Sequence, residues 1–199
     1  LKTSKYPKAT LYRLLQTLLN QDMLSYNEEE QTYKLGLKLV RMAHSAWLQS
    51  SLAPVAVPFI DDLSAKVGET VHLAELDNGQ VLYVDKRNPA SPIEMYSQAG
   101  KVGPAYCTGV GKAMMAFLDE SELTKVISKQ AFHKYTEHTI TSAKALKKEL
   151  ATIKKEGISF DRQEHEEKII CISSPILTTN GKVIGGLSIT SSVDIHSLK

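Results

Sequence analysis

One glycine-rich segment of the chain has the composition of an anion-binding site. It reads Cys107-Thr108-Gly109-Val110-Gly111-Lys112. A nucleotide-binding P-loop would need a glycine and a Ser or Thr where this chain has Tyr106 and Ala113, which excludes that motif. Free N–H groups at a helix start attract anions, and glycines let a ligand approach the backbone. We expect a helix start that binds an anion, or one whose glycines serve packing alone.

A second segment, residues 160–167, is dense in acidic side chains. Asp161, Glu164 and His165 are possible metal ligands, but their spacing matches no zinc pattern. The composition favours a solvated loop with one inward carboxylate. The sequence therefore predicts no metal site and no cofactor.

Cysteine catalysis is a further possibility, because the chain contains Cys107 and His72. No flanking motif supports a nucleophile at Cys107, and no G-x-S-x-G motif indicates a serine hydrolase. A buried, inert cysteine is the simpler interpretation. No catalytic residue is predicted.

The first predicted helix has two chemically different sides. Leu11, Leu14, Leu15 and Leu18 recur at helical spacing and form an apolar stripe that should face a core. The other side carries polar residues, namely Lys8, Thr10, Arg13, Gln16 and Thr17. Such side chains contact phosphates and base edges in DNA complexes, although an ordinary solvated helix face is the alternative.

A short hairpin is predicted directly after this helix. Its strands are residues 23–26 and 32–35, and Gly36 closes it. A helix followed by a small hairpin is typical of the second half of a winged helix, which favours DNA binding. The turn carries Glu28, Glu29 and Glu30, which phosphates repel, so we expect its tip to stay out of the groove.

The rest of the chain mixes helices with hairpins, which indicates an α+β fold with a mainly antiparallel sheet. Helices are predicted over residues 37–52, up to Val67, over 108–118, from the cap Asp119, and over 142–156. Strands are predicted over residues 70–76, 80–86, 93–98, 169–176 and 182–190. Tight turns are expected at Asp77-Asn78-Gly79 and at Asn180-Gly181.

Composition limits the cellular compartment and the classes of partner that are expected for this chain. No apolar run approaches the roughly 20 residues of a membrane span, so no membrane partner is expected. The polar start lacks a signal peptide and opens within a pattern, so we expect residues to be missing before it. The only cysteines, Cys107 and Cys171, lie far apart, which suits a reducing cytoplasm. A net charge of +2 is too small to indicate nucleic-acid binding, so any basic surface must be local.

Seven short motifs in order resemble the IclR family of bacterial transcriptional regulators across essentially the whole chain. They are Pro7-Lys8-Ala9-Thr10-Leu11-Tyr12-Arg13-Leu14-Leu15, Tyr33-Lys34-Leu35-Gly36, Thr70-Val71-His72-Leu73, Thr108-Gly109-Val110-Gly111-Lys112-Ala113, Thr139-Ile140-Thr141-Ser142, Asp161 with Glu164 and Cys171, and Leu187-Ser188-Ile189-Thr190. The stretches Met95-Tyr96-Ser97 and Glu137-His138-Thr139-Ile140-Thr141 look most like the branch that represses sugar-acid catabolism.

The resemblance implies three parts in the chain. These are a partial winged helix-turn-helix domain (residues 1–36), a linker helix (37–54) and a GAF/profilin-like effector domain (55–199), in which helices flank an antiparallel sheet. It also implies earlier helices before Leu1, a final helix after Lys199, and a homodimer that often assembles to a tetramer. The residues implied to contact a double-stranded DNA operator are Lys8, Thr10, Tyr12, Arg13 and Gln16.

An effector pocket is implied as well. Met95 would form an apolar wall, Gly109 and Val110 would offer backbone N–H groups to a carboxylate, and Asp161 would accept a ligand hydroxyl. Ile169 and Cys171 would form the floor, while Ser188 and Thr190 would donate from the last strand. Lys168 and Ile170 depart from the family pattern, in which Gly and Arg are usual.

The predicted function is a regulator, most simply a repressor, controlled by a small carboxylate or sugar acid. Two alternatives come from other classes of protein. One is a small enzyme acting on a keto acid at the same pocket. The other is a sensor or dimerisation module that acts through a protein partner.

Overall fold

A computed structural model of the chain describes residues 4–49 and 52–198. The chain divides into two compact units, Leu1–Ser50 and Ser51–Lys199. The end of the helix predicted over residues 37–52 lies partly outside the described residues.

The first unit consists of a helix, a hairpin and a second helix. These are α1 (Lys8–Asn20), β1 (Leu24–Asn27), β2 (Thr32–Leu35) and α2 (Leu37–Gln49). The strands pair antiparallel from Leu24 opposite Leu35 to Asn27 opposite Thr32. At the tip, the Asn27 side-chain oxygen accepts hydrogen bonds from the backbone N–H groups of Glu29 and Glu30. The predicted order of helix and hairpin is confirmed.

Gly36 closes this hairpin because no side chain fits there. A Cβ at position 36 would lie 2.0 Å from the carbonyl oxygen of Asp22. The Gly36 N–H donates to the carbonyl of Met23 at 2.8 Å, which joins the end of β2 to the start of β1.

The apolar stripe of α1 is less covered than the sequence predicts. Leu11 and Leu15 are half-buried, but Leu14 is 51% exposed. Among the described residues, only the first strand of the hairpin packs closely against α1. The side of α1 that bears Leu14 therefore has no core to face in this unit.

The second unit is built on one six-stranded antiparallel sheet. Its helices are α3 (Ala53–Val67), α4 (Gly109–Met115), α5 (Glu120–Ser128) and α6 (Ala143–Glu156). Its strands are β3 (Thr70–Asp77), β4 (Gln80–Arg87), β5 (Val102–Gly103), β6 (Ser159–Arg162), β7 (Ile169–Leu177) and β8 (Val183–Ser192), in the spatial order β5-β4-β3-β8-β7-β6. The α+β fold with an antiparallel sheet is confirmed.

The two faces of the sheet carry different helices. Neighbouring residues of β8 point to opposite faces: a Cβ on Gly185 would meet Leu52, whereas one on Gly186 would meet Val110 and Met114 of α4. The main apolar core lies on the α4 face, where α4, α5 and α6 cover the sheet. This core fixes α4 firmly against β7 and β8.

Local signals set most element ends. Gly68 and Gly157 end α3 and α6 in the left-handed conformation, with φ of 68° and 76°. Asp119 and Ser142 cap α5 and α6, each accepting a hydrogen bond from a backbone N–H of the first turn. The predicted helix ends after Val67 and Glu156 and the predicted cap at Asp119 are confirmed.

Two predictions about strands were wrong. Residues 93–98 form a loop, and the short edge strand is β5 instead. The backbone N–H of Tyr96 donates to the Glu166 carboxylate at 2.9 Å, so a side chain takes the place of a neighbouring strand. The sequence predicts a solvated loop over residues 160–167, but residues 159–162 form the strand β6, which pairs with β7.

None of the helices in the described part of the chain is long and apolar enough to cross a membrane.

Candidate functional site

A small cavity lies where α4 begins, between the sheet and the 93–98 loop. Its volume is about 30 Å³. All eight residues expected in the effector pocket line it, namely Met95, Gly109, Val110, Asp161, Ile169, Cys171, Ser188 and Thr190. They come from five parts of the chain. The pairing of β6 with β7 and of β7 with β8 brings three of these parts together, and α4 and the 93–98 loop supply the other two.

Six further residues line the cavity that sequence reasoning did not assign to it: His72, Tyr83, Ser97, Thr108, His165 and Glu166. His72 enters because β3 pairs with β8, which places His72 opposite Ser188. Its position in the motif Thr70-Val71-His72-Leu73 was visible in the sequence. The sequence did not reveal the pairing of β3 with β8, which directs the His72 side chain into the cavity.

His72 connects two walls of the cavity. Its Nε2 lies 2.7 Å from the Ser97 hydroxyl, and its Nδ1 lies 3.4 Å and 3.3 Å from the hydroxyls of Ser188 and Thr190. Burial, together with a smaller contribution from the nearby positive charge of Lys86, lowers the pKa of His72 to about 3. The imidazole is therefore uncharged at neutral pH.

Asp161 is 4% exposed. Its Oδ1 accepts a hydrogen bond from the backbone N–H of Glu164 at 2.8 Å. Burial, together with a smaller contribution from the negative charge of Glu164, raises the pKa of Asp161 to about 7. Near neutral pH this carboxyl exists in both protonation states, so it can donate to a ligand as well as accept from one.

Behind Asp161 lies a buried ion pair. Lys112 of α4 is 0% exposed, and its ammonium contacts the carboxylate of Glu164 and lies 3.7 Å from Oε1 of Glu149. Burial raises the pKa of Glu164, and the Lys112 charge opposes that rise. The prediction of a single inward carboxylate in residues 160–167 was wrong, because both Asp161 and Glu164 are buried.

The glycines of α4 are needed for packing. A Cβ on Gly109 would lie 2.6 Å from the Ser173 hydroxyl, and one on Gly111 would lie 2.4 Å from the carbonyl oxygen of Ala105. Of the two expectations for this segment, close packing accounts for both glycines: Gly109 packs against the sheet, and Gly111 against the residues just before α4. With only seven residues, α4 also has a weak macrodipole to offer an anion.

Neither metal binding nor thiol chemistry is favoured here. The described residues contain no group of three or more His, Cys, Asp or Glu side chains placed to hold a metal ion. Burial raises the pKa of the Cys107 and Cys171 thiols well above the usual range. Since the thiolate is the nucleophile, these cysteines are poor candidates for catalysis.

All five residues expected to contact DNA lie exposed on α1: Lys8, Thr10, Tyr12, Arg13 and Gln16. Spacings of three and four residues place them on adjoining parts of the helix surface. The Gln16 amide donates to Asn20 at 2.9 Å, and the Lys8 ammonium lies 5.8 Å from the centre of the Tyr12 ring.

The chain is similar in sequence and fold to bacterial transcriptional regulators. Residues 44–195 match the family model described as bacterial transcriptional regulator IclR C-terminal. The HTH-type transcriptional regulator KdgR of Escherichia coli is 34% identical over 183 residues, which cover 92% of this chain and 70% of KdgR. KdgR of Dickeya chrysanthemi is also 34% identical, and there the match spans 60% of the relative's length.

A solved structure shows the same fold. The crystal structure of the Thermotoga maritima IclR superposes with a TM-score of 0.78 at 28% identity, covering 95% of this chain and 76% of that one. The chain belongs to the IclR family of bacterial transcriptional regulators. The relatives that it matches are named as transcriptional regulators and not as enzymes.

Proposed function

We propose that the protein is a cytoplasmic, DNA-binding repressor of a sugar-acid catabolic operon. A small carboxylate effector would either release the repressor from DNA or strengthen its binding to DNA. Residues 1–36 would bind DNA, 37–54 would link, and 55–199 would bind the effector. The boundary between the two compact units, at Ser50 and Ser51, falls within the proposed linker. The relatives are named as HTH-type transcriptional regulators, which supports a DNA-binding role for the first part.

The observation that supports effector binding most strongly is the convergence of the eight expected residues on one cavity. The cavity combines hydroxyls of Ser188 and Thr190, the carboxyl of Asp161 and the apolar side chain of Met95. A small polyhydroxylated acid needs this mixture of donors and acceptors on a partly apolar wall.

The cavity as described is too small for such a ligand. About 30 Å³ has room for one or two water molecules at most. We infer that the 93–98 loop moves outward when an effector enters. This loop is held by side chains, such as Glu166 at Tyr96, and not by a strand partner.

DNA binding is tested without knowledge of the operator. The intact protein is used to select tight-binding duplexes from a random-sequence pool, and the affinity of the selected duplex is then measured at fixed salt. Arg13→Ala should weaken binding by about 1–3 kcal/mol if Arg13 reads a guanine edge. Lys125→Ala, on the exposed surface of α5 in the other unit, is the matched control and should bind as the parent does.

Two outcomes would count against the proposal. One is that no sequence is enriched from the pool. The other is that Arg13→Ala and Lys125→Ala bind the selected duplex equally well.

A further inference from the structure

The side chain of His72 occupies a central position in the cavity that the effector residues define. It is 2% exposed and contacts the hydroxyls of Ser188 and Thr190 on one side and that of Ser97 on the other. Ser188 and Thr190 are residues that the proposed function assigns to the ligand, while Ser97 belongs to the loop that covers the cavity.

We propose that His72 is a specificity-determining residue: the tautomer of its imidazole decides whether Ser188 and Thr190 donate or accept hydrogen bonds toward the ligand, and Ser97 sets that tautomer. This inference rests on the proposed effector function and adds the chemical reason why the cavity would select a carboxylate.

The distances favour one tautomer. A hydroxyl that donates characteristically lies closer to its acceptor than an N–H donor does. The 2.7 Å separation of Ser97 Oγ and His72 Nε2 fits a hydroxyl donating to an unprotonated Nε2. The proton of a neutral imidazole then resides on Nδ1, which is shared at 3.3–3.4 Å between the oxygens of Thr190 and Ser188.

That arrangement leaves the cavity lined with donors. Because Nδ1–H donates to the oxygens of Ser188 and Thr190, neither hydroxyl hydrogen is used on His72. The Ser188 hydrogen is then available to a ligand, and so is that of Thr190 when the Cys171 thiol, 3.2 Å away, donates to the Thr190 oxygen. In the opposite tautomer Nδ1 would accept one of these hydrogens, and the cavity would present lone pairs instead. A carboxylate or keto oxygen suits the first arrangement, and an alcohol suits the second better.

The surroundings keep the imidazole uncharged. The Lys86 ammonium donates to the Ser97 carbonyl oxygen at 2.8 Å and so fixes a positive charge near His72. An imidazolium would donate from both nitrogens, so Nε2 could no longer accept the hydroxyl hydrogen of Ser97. The same hydrogen bonds attach the loop to the sheet, so the state of the hydroxyls and the position of the loop are linked through His72.

The first test needs no ligand. In protein labelled with ¹⁵N in its imidazoles, long-range ¹H–¹⁵N correlation reports which nitrogen of His72 bears the proton. We expect the Nδ1–H tautomer in the parent and a shift toward Nε2–H in Ser97→Ala. Ser191→Ala is the matched control, because Ser191 is as buried as Ser97, lies next to Thr190 on β8, and its hydroxyl has no hydrogen-bond partner among the described residues.

The second test measures selectivity by calorimetry with gluconate and glucitol, which differ only by carboxylate against alcohol at one end. The parent should prefer gluconate by at least about tenfold, as expected for a site that hydrogen-bonds one oxygen type. Most of this preference should disappear in Ser97→Ala and in His72→Asn, which keeps a polar group near Ser188 and cannot reach Ser97. Ser191→Ala should keep it.

The two possible failures are distinguishable. If neither gluconate nor a simple keto acid such as pyruvate binds the parent, the proposed effector class is wrong, whatever the tautomer. If His72 carries its proton on Nε2 in the parent, or if Ser97→Ala leaves both tautomer and preference unchanged, the proposed role of His72 is overturned.

Discussion

Asp161 shows how one buried carboxyl can oppose stability. Its pKa rises from an ordinary 3.8 to about 7 because burial disfavours the charged form. The folded protein therefore keeps a proton that the unfolded chain releases above about pH 4. Unfolding then releases a proton, so the contribution of Asp161 to stability falls as pH rises from about 4 to 7.

Asp161→Asn should therefore stabilise the protein at neutral pH. Asparagine can still accept the hydrogen bond from the Glu164 N–H and cannot ionise. We expect a gain of about 2–4 kcal/mol in the free energy of unfolding at pH 7.5, and much less at pH 4.5. Urea denaturation of variant and parent at both pH values measures it.

Asp119→Asn provides a control of opposite sign. Asp119 is an exposed helix cap, and the hydrogen bond from the Glu122 N–H lowers its pKa. A lowered pKa adds stability above the unfolded value, so this substitution should give no gain at pH 7.5. A gain in Asp161→Asn that is the same at both pH values would contradict the assignment.

Several residues of the site were beyond sequence reasoning. Family resemblance supplied the eight cavity residues, and the residue pattern supplied one inward carboxylate. The partners that set their charge states, Lys112 and Glu164, stand in segments that the sequence singles out, but nothing in the sequence indicates that the two are buried together as an ion pair. Their burial depends on how α4 lies against β6 and β7, which no local pattern encodes.

At the scale of elements, the position of α4 depends on the missing side chain of Gly109. Gly109→Ala should cost about 1–3 kcal/mol of stability, since its Cβ would lie 2.6 Å from the Ser173 hydroxyl and 3.3 Å from the Asp161 backbone nitrogen. Better helix propensity offsets at most about 1 kcal/mol of this. Thermal and urea unfolding measure the loss.

Ser173→Ala tests the cause. The Ser173 hydroxyl has no hydrogen-bond partner among the described residues, so this change alone should cost little. Combined with Gly109→Ala, it should recover part of the lost stability. A double variant that is no more stable than Gly109→Ala would show that the contact with Ser173 is not the reason.

Elements with local signals were predictable from the sequence. The turn at Asn78 and Gly79, with φ of 52° and 86°, joins β3 and β4 as expected. The 93–98 loop was misassigned because its apolar residues alternate with polar ones as in a strand. The residues that hold this loop, Glu166 and His72, are distant from it in sequence. The strand β6 was missed for another reason: β7, with which it pairs, follows only after an acidic turn.

At the scale of the whole molecule, α2 presents apolar side chains that no described residue of its own unit covers. Leu37, Val40 and Leu48 lie on one side of the helix and are 82%, 65% and 54% exposed. An apolar helix face of this kind must be buried somewhere, and a second copy of the chain offers a self-complementary surface. We expect a dimer that buries this face of α2.

Val40→Lys should weaken that dimer. Sedimentation velocity at micromolar concentration should show a shift from dimer toward monomer, because a lysine at the centre of the face must be desolvated. Ser45→Lys adds the same charge on another side of α2 and should leave the dimer intact. A monomeric parent, or equal dimerisation of both variants, would contradict the assignment.

The small volume of the proposed effector cavity has a consequence for the concentration of effector that the protein would need. If only a minor conformation admits the effector, the observed dissociation constant equals the intrinsic one divided by the fraction in that conformation. A fraction of about 1% weakens apparent affinity about 100-fold without changing any ligand contact. The attachments of the 93–98 loop, such as Glu166 to Tyr96, then set the effector concentration at which the regulator responds, while the cavity walls determine which effector it recognises.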